Sequence, residues 1–538
     1  MLVLSLSACG NPAMPADSPF SESRIQDAAL QSGTSAGRGA GDSALPSEQE
    51  PKTLRIAAGR TFWQGPATNI FLHGATNVWE ALVMFDDDME PAMHLAKSVT
   101  PSADGLTWTI ELREGVKFHD GSDFTAEVAA YNLERLYRWN SASRAYDPDF
   151  ARSGEFGVIT GFDVISDFAF TVTHAAPLPD FDSRLSFDNS AMFAMASFGD
   201  DRVIQHPYGT GPFFFAEYDE PNQVLRLERF DQYRLGTPNI DTILFYNIPD
   251  ASTRLAALQS GEIDVISDVG GLMPQQAAAV LADPNLMLRE RQVSTIHYVA
   301  VNNNEGNVFS DVRMRNALSL SVDRGTIVDH LLLGYGVEAI SVITDLSAGW
   351  TIDCGYRFDP AEAKAFVDAA MGGRIPEVVI LVNTSLTGRW PYQDVAAILQ
   401  SQLNDIGINA RIETTDGATW NERMREKDYD ITIHPFTVSA GEPLYFFIRN
   451  IASNGANNIM RGYGISDPVL DELIARAAVE LNPSVRRQLY AEIQTIVREN
   501  DYIIPVWYDV TLYAMNNRVK DFILDVLFCP NLFIVDIA

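Results

Sequence analysis

The segment from Pro376 to His434 limits the fold more than any other. "PEVVILVN" (Pro376–Asn383) is a short β-branched run of the kind that forms a buried strand. "YQDVAAILQSQLNDIGINARIETT" (Tyr392–Thr415) sets apolar residues at helical spacing and returns to a strand-like run, and "DYDITIH" (Asp428–His434) supplies a third. Strands that alternate with a helix in this way pair in parallel through right-handed crossovers. The alternation recurs along the chain. "DASTRLAALQSGEIDVI" (Asp250–Ile266) reads as helix, Gly261 cap and strand. "TAEVAAYNLERLY" (Thr125–Tyr137) has Thr125 at the N-cap of a helix, and "LTWTIELREG" (Leu106–Gly115) alternates like a strand leading into a turn. "DVRMRNALSLSVDRGTIVDHLLLG" (Asp311–Gly334) reads as two helices. The class is α/β, no internal repeat is present, and 538 residues exceed what one hydrophobic core serves, so at least two lobes are expected.

Charge excludes some partners. A formal net charge of −32 repels nucleic acid and anionic headgroups at long range. Past the first ten residues no apolar run approaches the roughly 18–20 needed to span a bilayer. No P-loop, dinucleotide fingerprint or HExxH spacing occurs and no nucleophile elbow stands out, so no enzyme and no cofactor are expected.

The start of the chain differs from the rest. "LVLSLSA" is a short apolar stretch ending in small residues, and Leu6-Ser7-Ala8-Cys9 resembles the lipobox of bacterial lipoproteins, whose cysteine is acylated. The charged leader of an export signal is missing, which leaves open whether Met1 is the true start. Residues 1–9 are thus expected to be a lipoprotein signal remnant. Residues 10–52, rich in Gly, Ser, Ala and Pro, are expected to be a flexible tether, and the folded body opens with "TLRIAAG" at Thr53. Cys354 and Cys529 leave pairing open.

Four stretches carry a family resemblance in order: "DGLTWTIELREGVKFHDGSDFTAEVAAYNLERL" (Asp104–Leu136), with its turn at Phe118–Gly121, "YGTGPFFF" (Tyr208–Phe215), "IPDASTRLAALQSGEIDVI", and "FSDVRMRNALSLSVDR" (Phe309–Arg324). The chain resembles solute-binding proteins of the oligopeptide/dipeptide/nickel/opine class of ABC importers, family 5, from about Thr53 to the C-terminus. That resemblance implies a two-lobed periplasmic-binding-protein-like fold (type II, cluster C) with an extra subdomain in lobe I. Lobe I would comprise 53–295 plus 505–538, and lobe II 296–504. The crossing strands would fall near Ser294–Asn304 and Ile503–Tyr513, and solute would be enclosed by hinge closure. The implied partners are a peptide or small-molecule solute and the permease subunits of an ABC transporter. The protein would act as a monomer outside the cytoplasm, on the cell surface or in the periplasm, touching the membrane only through its lipid. A nickel chelate or an opine remains an alternative cargo, and a non-transport surface receptor an alternative role.

Candidate ligand contacts are sought on strand-end loops, because a cleft that closes on a polar solute must replace its water, and an unpaired buried polar group costs ~1–3 kcal/mol. "GRTFWQG" offers Phe62 and Trp63. Trp79 and Glu80 stand where the family commonly has an aromatic–acid pair. "NTSLTGRWPY" offers Thr384, Ser385, Arg389 and Trp390, with Arg389 suited to fork onto a carboxylate. "ITIHPFTVSAGEPLYFF" (Ile431–Phe447) offers His434, Phe436, Thr437, Glu442 and Tyr445. Peptide binders often carry Asp-Pro-Asp where this chain has Glu442-Pro443, so Glu442 is the expected anchor for an α-ammonium. His73 and His434 are the candidate metal ligands for a nickel chelate. Nickel-type members tend to carry arginines in the segment "SRLSFDNSAMFAMA" (Ser183–Ala196); this chain has only Arg184, with Asp188 and Ser190 at its heart, which speaks against a carboxylate-clamped metallophore.

Overall fold

The computed structural model describes residues 51–66, 68–347, 349–438 and 441–538. Cys9 and the expected signal remnant, and the expected tether up to residue 50, lie outside the described residues. The main sheet runs through ten strands: β1 (Thr53–Ala58), β2 (Phe213–Asp219), β3 (Val224–Arg229), β4 (Thr242–Asn247), β5 (Val265–Ile266), β6 (Leu286–Val301), β7 (Glu377–Asn383), β8 (Asn409–Thr415), β9 (Ile431–Thr437) and β10 (Ile503–Asn516). Their order is β2-β3-β4-β1-β5-β10-β6-β9-β7-β8, and the short strand Gly336–Glu338 pairs with β10 off this path.

The crossover read from the sequence is present. α1 (Tyr392–Asp405) joins β7 to β8, which pair in parallel from Glu377↔Asn409 to Asn383↔Thr415, and β9 adds in parallel to β7 at Ile380↔Ile431. Apolar residues of both periods point into one core, so Val378, Ile380 and Val382 pack against Val395, Leu399 and Leu403. On the other side β1 lies between β4 and β5, parallel to both. The helix Ala251–Ser260 before β5 is capped by the Asp250 carboxylate, which accepts from Thr253 N–H at 2.8 Å, and it ends at Gly261 with φ 76°. Val312–Ser321 is helical as read, but the second half of that segment, Thr326–Leu331, winds as a π-helix.

Two long strands run through the whole sheet. β6 and β10 pair antiparallel from Leu286↔Asn516 to Gln292↔Val510, lose register, and resume from Ile296↔Tyr508 to Ala300↔Ile503. Below the break β10 pairs with β5; above it β6 pairs with β9. Separate hydrophobic cores lie on the two sides, one around Leu54, Ile56, Phe213 and Phe245, the other around Val299, Ile380 and Leu399. The fold is two-lobed. The first lobe also carries an antiparallel four-stranded sheet (Ala96–Pro101, Thr107–Leu112, Ala169–His174, Ile159–Ser166) covered by the helix Ala126–Tyr137. Among the described residues no helix is long and apolar enough to cross a membrane.

The Gly-Thr-Gly-Pro element is scaffold. Any side chain at Gly209 or Gly211 would collide with the backbone of Asn77 and Val78, and the Phe118–Gly121 turn docks there through His119 N–H to the Gly209 carbonyl at 2.9 Å.

Candidate functional site

β1 and β5 are parallel neighbours, so the loops that follow them leave the same edge of the sheet, where α/β folds commonly place ligands. From the first loop Arg60 donates Nε and Nη2 to the two oxygens of Asp268 on the second, at 2.8 and 2.9 Å. Arg389, on the loop after β7 in the other lobe, donates Nε and Nη2 to the Val269 carbonyl at 3.1 and 2.9 Å. Its guanidinium lies 3.8 Å from Asp268. Gly270 permits this approach: its φ is +66°, and a Cβ there would stand 2.5 Å from the Arg389 carbonyl oxygen. Burial pushes the Asp268 carboxyl up, but Arg60 and Arg389 outweigh it and hold the group below the ordinary aspartate value. One carboxylate thus faces two guanidiniums, from opposite lobes. The Arg60 side chain keeps 33% of its surface exposed and faces space. Burial and Arg60 push His73 down to about 3, so it is neutral at ordinary pH.

The loop bearing Arg389 is tied to the crossing strands. Trp390 Nε1–H donates to Asp509 at 2.6 Å, and the same oxygen is 3.0 Å from His297 Nε2. His297 Nδ1 lies 2.8 Å from the Tyr392 hydroxyl, and its ring stacks on Trp507 at 4.1 Å. His297 stands on β6, Asp509 and Trp507 on β10. A fully buried polar network of this kind fixes one geometry.

Further along the interlobe line Arg449 of the second lobe donates to Glu155 of the first at 2.7 Å and to the Tyr445 hydroxyl at 2.9 Å. Arg152 Nη2 lies 3.8 Å from the same Glu155. Glu442 is 9% exposed; Arg486 grips both its oxygens at 2.9 and 2.6 Å, and the Tyr490 hydroxyl donates at 2.9 Å. Burial outweighs this pairing and raises the Glu442 carboxyl. The expected anchor for an α-ammonium is therefore already taken by the protein. Across from it, burial, with Asp180 adding, pushes Asp182 up to about 6.

The remaining sequence candidates scatter. Phe62 is buried against His73 and Phe245. Trp63 stacks on Tyr218 at 4.7 Å. Trp79 is buried and donates to the Leu72 carbonyl, while Glu80 meets His94, Tyr233 and Arg234, all inside the first lobe. Thr384 and Ser385 bond to Thr415 and Asn383 within the second lobe. Phe436 packs edge-on against Phe446, and Thr437 bonds Thr295 at 2.8 Å. His434 lies between Trp420 and Arg461, whereas His73 meets Arg60 and accepts from the Ala75 N–H. Among the described residues no three His, Cys, Asp or Glu side chains are grouped to hold a metal. Cys354 and Cys529 are both free thiols. Arg60, Asp268, Arg152 and Arg449 escaped the sequence reading, although Arg60 and Asp268 each stand within two residues of a glycine just after a strand, the signature of a strand-end loop.

Two lobes joined by two through-going strands, with polar groups of both signs meeting between them, define a clamshell solute-binding protein. Residues 90–458 match the family described as bacterial extracellular solute-binding proteins, family 5 middle, and the chain belongs to that family. The glutathione-binding protein GsiB of Salmonella paratyphi A is 28% identical over 461 residues, covering 83% of this chain and 86% of that protein. Heme-binding protein A of Haemophilus influenzae is 26% identical over 472 residues, covering 83% and 84%. The solved structure of the periplasmic binding protein DppA of Helicobacter pylori, in complex with the peptide STSA, superposes with a TM-score of 0.74 at 19% identity, covering 90% of this chain and 98% of that one.

Proposed function

We propose that this chain captures a short peptide, or a related solute bearing a carboxylate, between its lobes and delivers it to the permease of an ABC importer without altering it. The observation that carries this reading is the corner where Arg60 and Arg389 share the single carboxylate of Asp268. In each arginine Nη1 has no bond among the described residues, which leaves donors for an anionic group of the solute. The relatives named for glutathione and for a bound peptide point the same way. Placement outside the cytoplasm agrees with the family, and Cys9, acylated, would hold the protein to the membrane with residues 10–52 as tether. Loss of palmitate labelling in Cys9→Ser tests that anchor.

Thermal melts of the full chain test the cargo. Di- to pentapeptides at about 100 times Kd stabilise by ~2.7 kcal/mol through mass action. A rise with Ni(II) and histidine and none with peptides would transfer the reading to a chelate. A flat response to both would turn it toward a receptor without transport.

A further inference from the structure

Arg254 is fully buried, yet none of its bonds among the described residues is to a carboxylate. It lies near the N-terminal end of the helix Ala251–Ser260, where the helix dipole is positive and a cation is poorly placed. Carbonyl oxygens hold it there. Nη1 donates to Ile248 and Pro249 at 2.6 and 2.8 Å, on the loop after β4, and Nε donates to Gly271 at 3.0 Å, on the loop after β5. Gly59, next to Arg60 on the loop after β1, packs against the same guanidinium: a Cβ there would stand 3.1 Å from Nη1. The fourth acceptor belongs to the other lobe. Nη2 donates at 3.3 Å to the carbonyl of Gly388, the residue before Arg389.

The bonds to Ile248, Pro249 and Gly271 depend on the first lobe alone, whereas the bond to Gly388 forms only when the lobes meet. A guanidinium can hold such a set because its donors fan out in one rigid plane; a lysine ammonium, a compact point charge, cannot span it. Gly388 is suited to the approach. Its backbone takes no positive φ, so the missing side chain serves proximity: a Cβ would meet only the Pro249 carbonyl oxygen of the opposite lobe, at 3.2 Å. We propose that Arg254 is a positioning residue, a latch that stops the Arg389 loop at the depth where Arg389 reaches the Asp268 corner. Its bond to Gly388 favours the closed arrangement over the open one. The latch acts on closure itself, whatever the cargo.

Trapping of the closed arrangement in the solute-free full chain tests the latch. Arg449 and Glu155 meet across the lobes at 2.7 Å, so Glu155→Cys with Arg449→Cys supplies two thiols for a short bis-maleimide. The rate at which the joined peptides appear by mass spectrometry reports how often the lobes close. Adding Arg254→Lys to that parent should slow trapping about 10-fold, the worth of one hydrogen bond to a charged group. Gly388→Ala pushes the Gly388 carbonyl away from Nη2 and should slow trapping too. Its denaturation midpoint should match the parent's, since the new methyl meets only the opposite lobe. Gly388→Ala therefore decides the matter if Arg254→Lys does not fold. An undiminished trapping rate in either folded variant overturns the latch and leaves Arg254 a brace of the first lobe alone.

Discussion

The guanidinium of Arg389 and the carboxylate of Asp268 stand 3.8 Å apart across the line where the two lobes meet. Each belongs to a loop that follows a parallel strand, and each is placed by backbone its own lobe fixes. The closed arrangement therefore assembles a charged corner that neither lobe holds alone.

Arg389→Ala should weaken capture of a carboxylate-bearing peptide roughly 10–100-fold. The same peptide with a C-terminal amide should be nearly indifferent to the substitution. Titration calorimetry with the acid and the amide reads the difference; equal losses for both would show that Arg389 acts on closure and not on the carboxylate.

Glu442 and Arg486 form a buried, doubly bonded pair. Arg486→Met leaves a buried carboxylate unpaired and should cost about 3–5 kcal/mol of unfolding free energy in a denaturant titration. Pairing it with Glu442→Gln should recover most of the loss. A simple sum of the two single effects would show that the pair is not coupled.

Asp525 governs a pH effect. Burial outweighs the N–H groups of Leu527 and Cys529, each donating at 2.8 Å, and pushes its carboxyl up to about 7; Arg291 and Asp87 lie nearby. A carboxyl raised in the folded state above its ordinary value near 4 contributes stability that is present below that value and lost as pH rises toward 7. Asp525→Asn keeps an acceptor for both N–H groups and removes the charge. It should stabilise the protein at about pH 8 by roughly 1–4 kcal/mol and leave stability at about pH 4 nearly unchanged. Melts across that range read the sign directly.

His297→Phe keeps a ring against Trp507 and removes the bonds to Asp509 and Tyr392. The variant should lose about 1–3 kcal/mol. Solute should also dissociate faster, because the network joins both crossing strands to the Arg389 loop. Stopped-flow release and chemical denaturation separate the two effects.

The sequence by itself determined the elements. The β-branched run at Glu377–Asn383, the helical period of Tyr392–Asp405, the Asp250 cap and the Gly261 stop are local facts, decided by backbone geometry and by which face of each element is apolar. The motif order was enough to name the family, because turn glycines such as Gly209 and Gly211 report backbone contacts that any member of the fold must make. The site was legible only in part. Arg389 could be nominated from its strand-end loop, but Asp268 and Arg60, far away in the sequence, meet it only because parallel pairing brings three loops to one edge. Tertiary structure alone decided which charges are spent on the protein and which are left for a ligand: Glu442 is taken by Arg486 and Tyr490, whereas the Arg60 side chain keeps 33% of its surface exposed at the corner it shares with Arg389. That division depends on Coulomb and hydrogen-bond geometry between distant segments, which no local pattern of residues encodes.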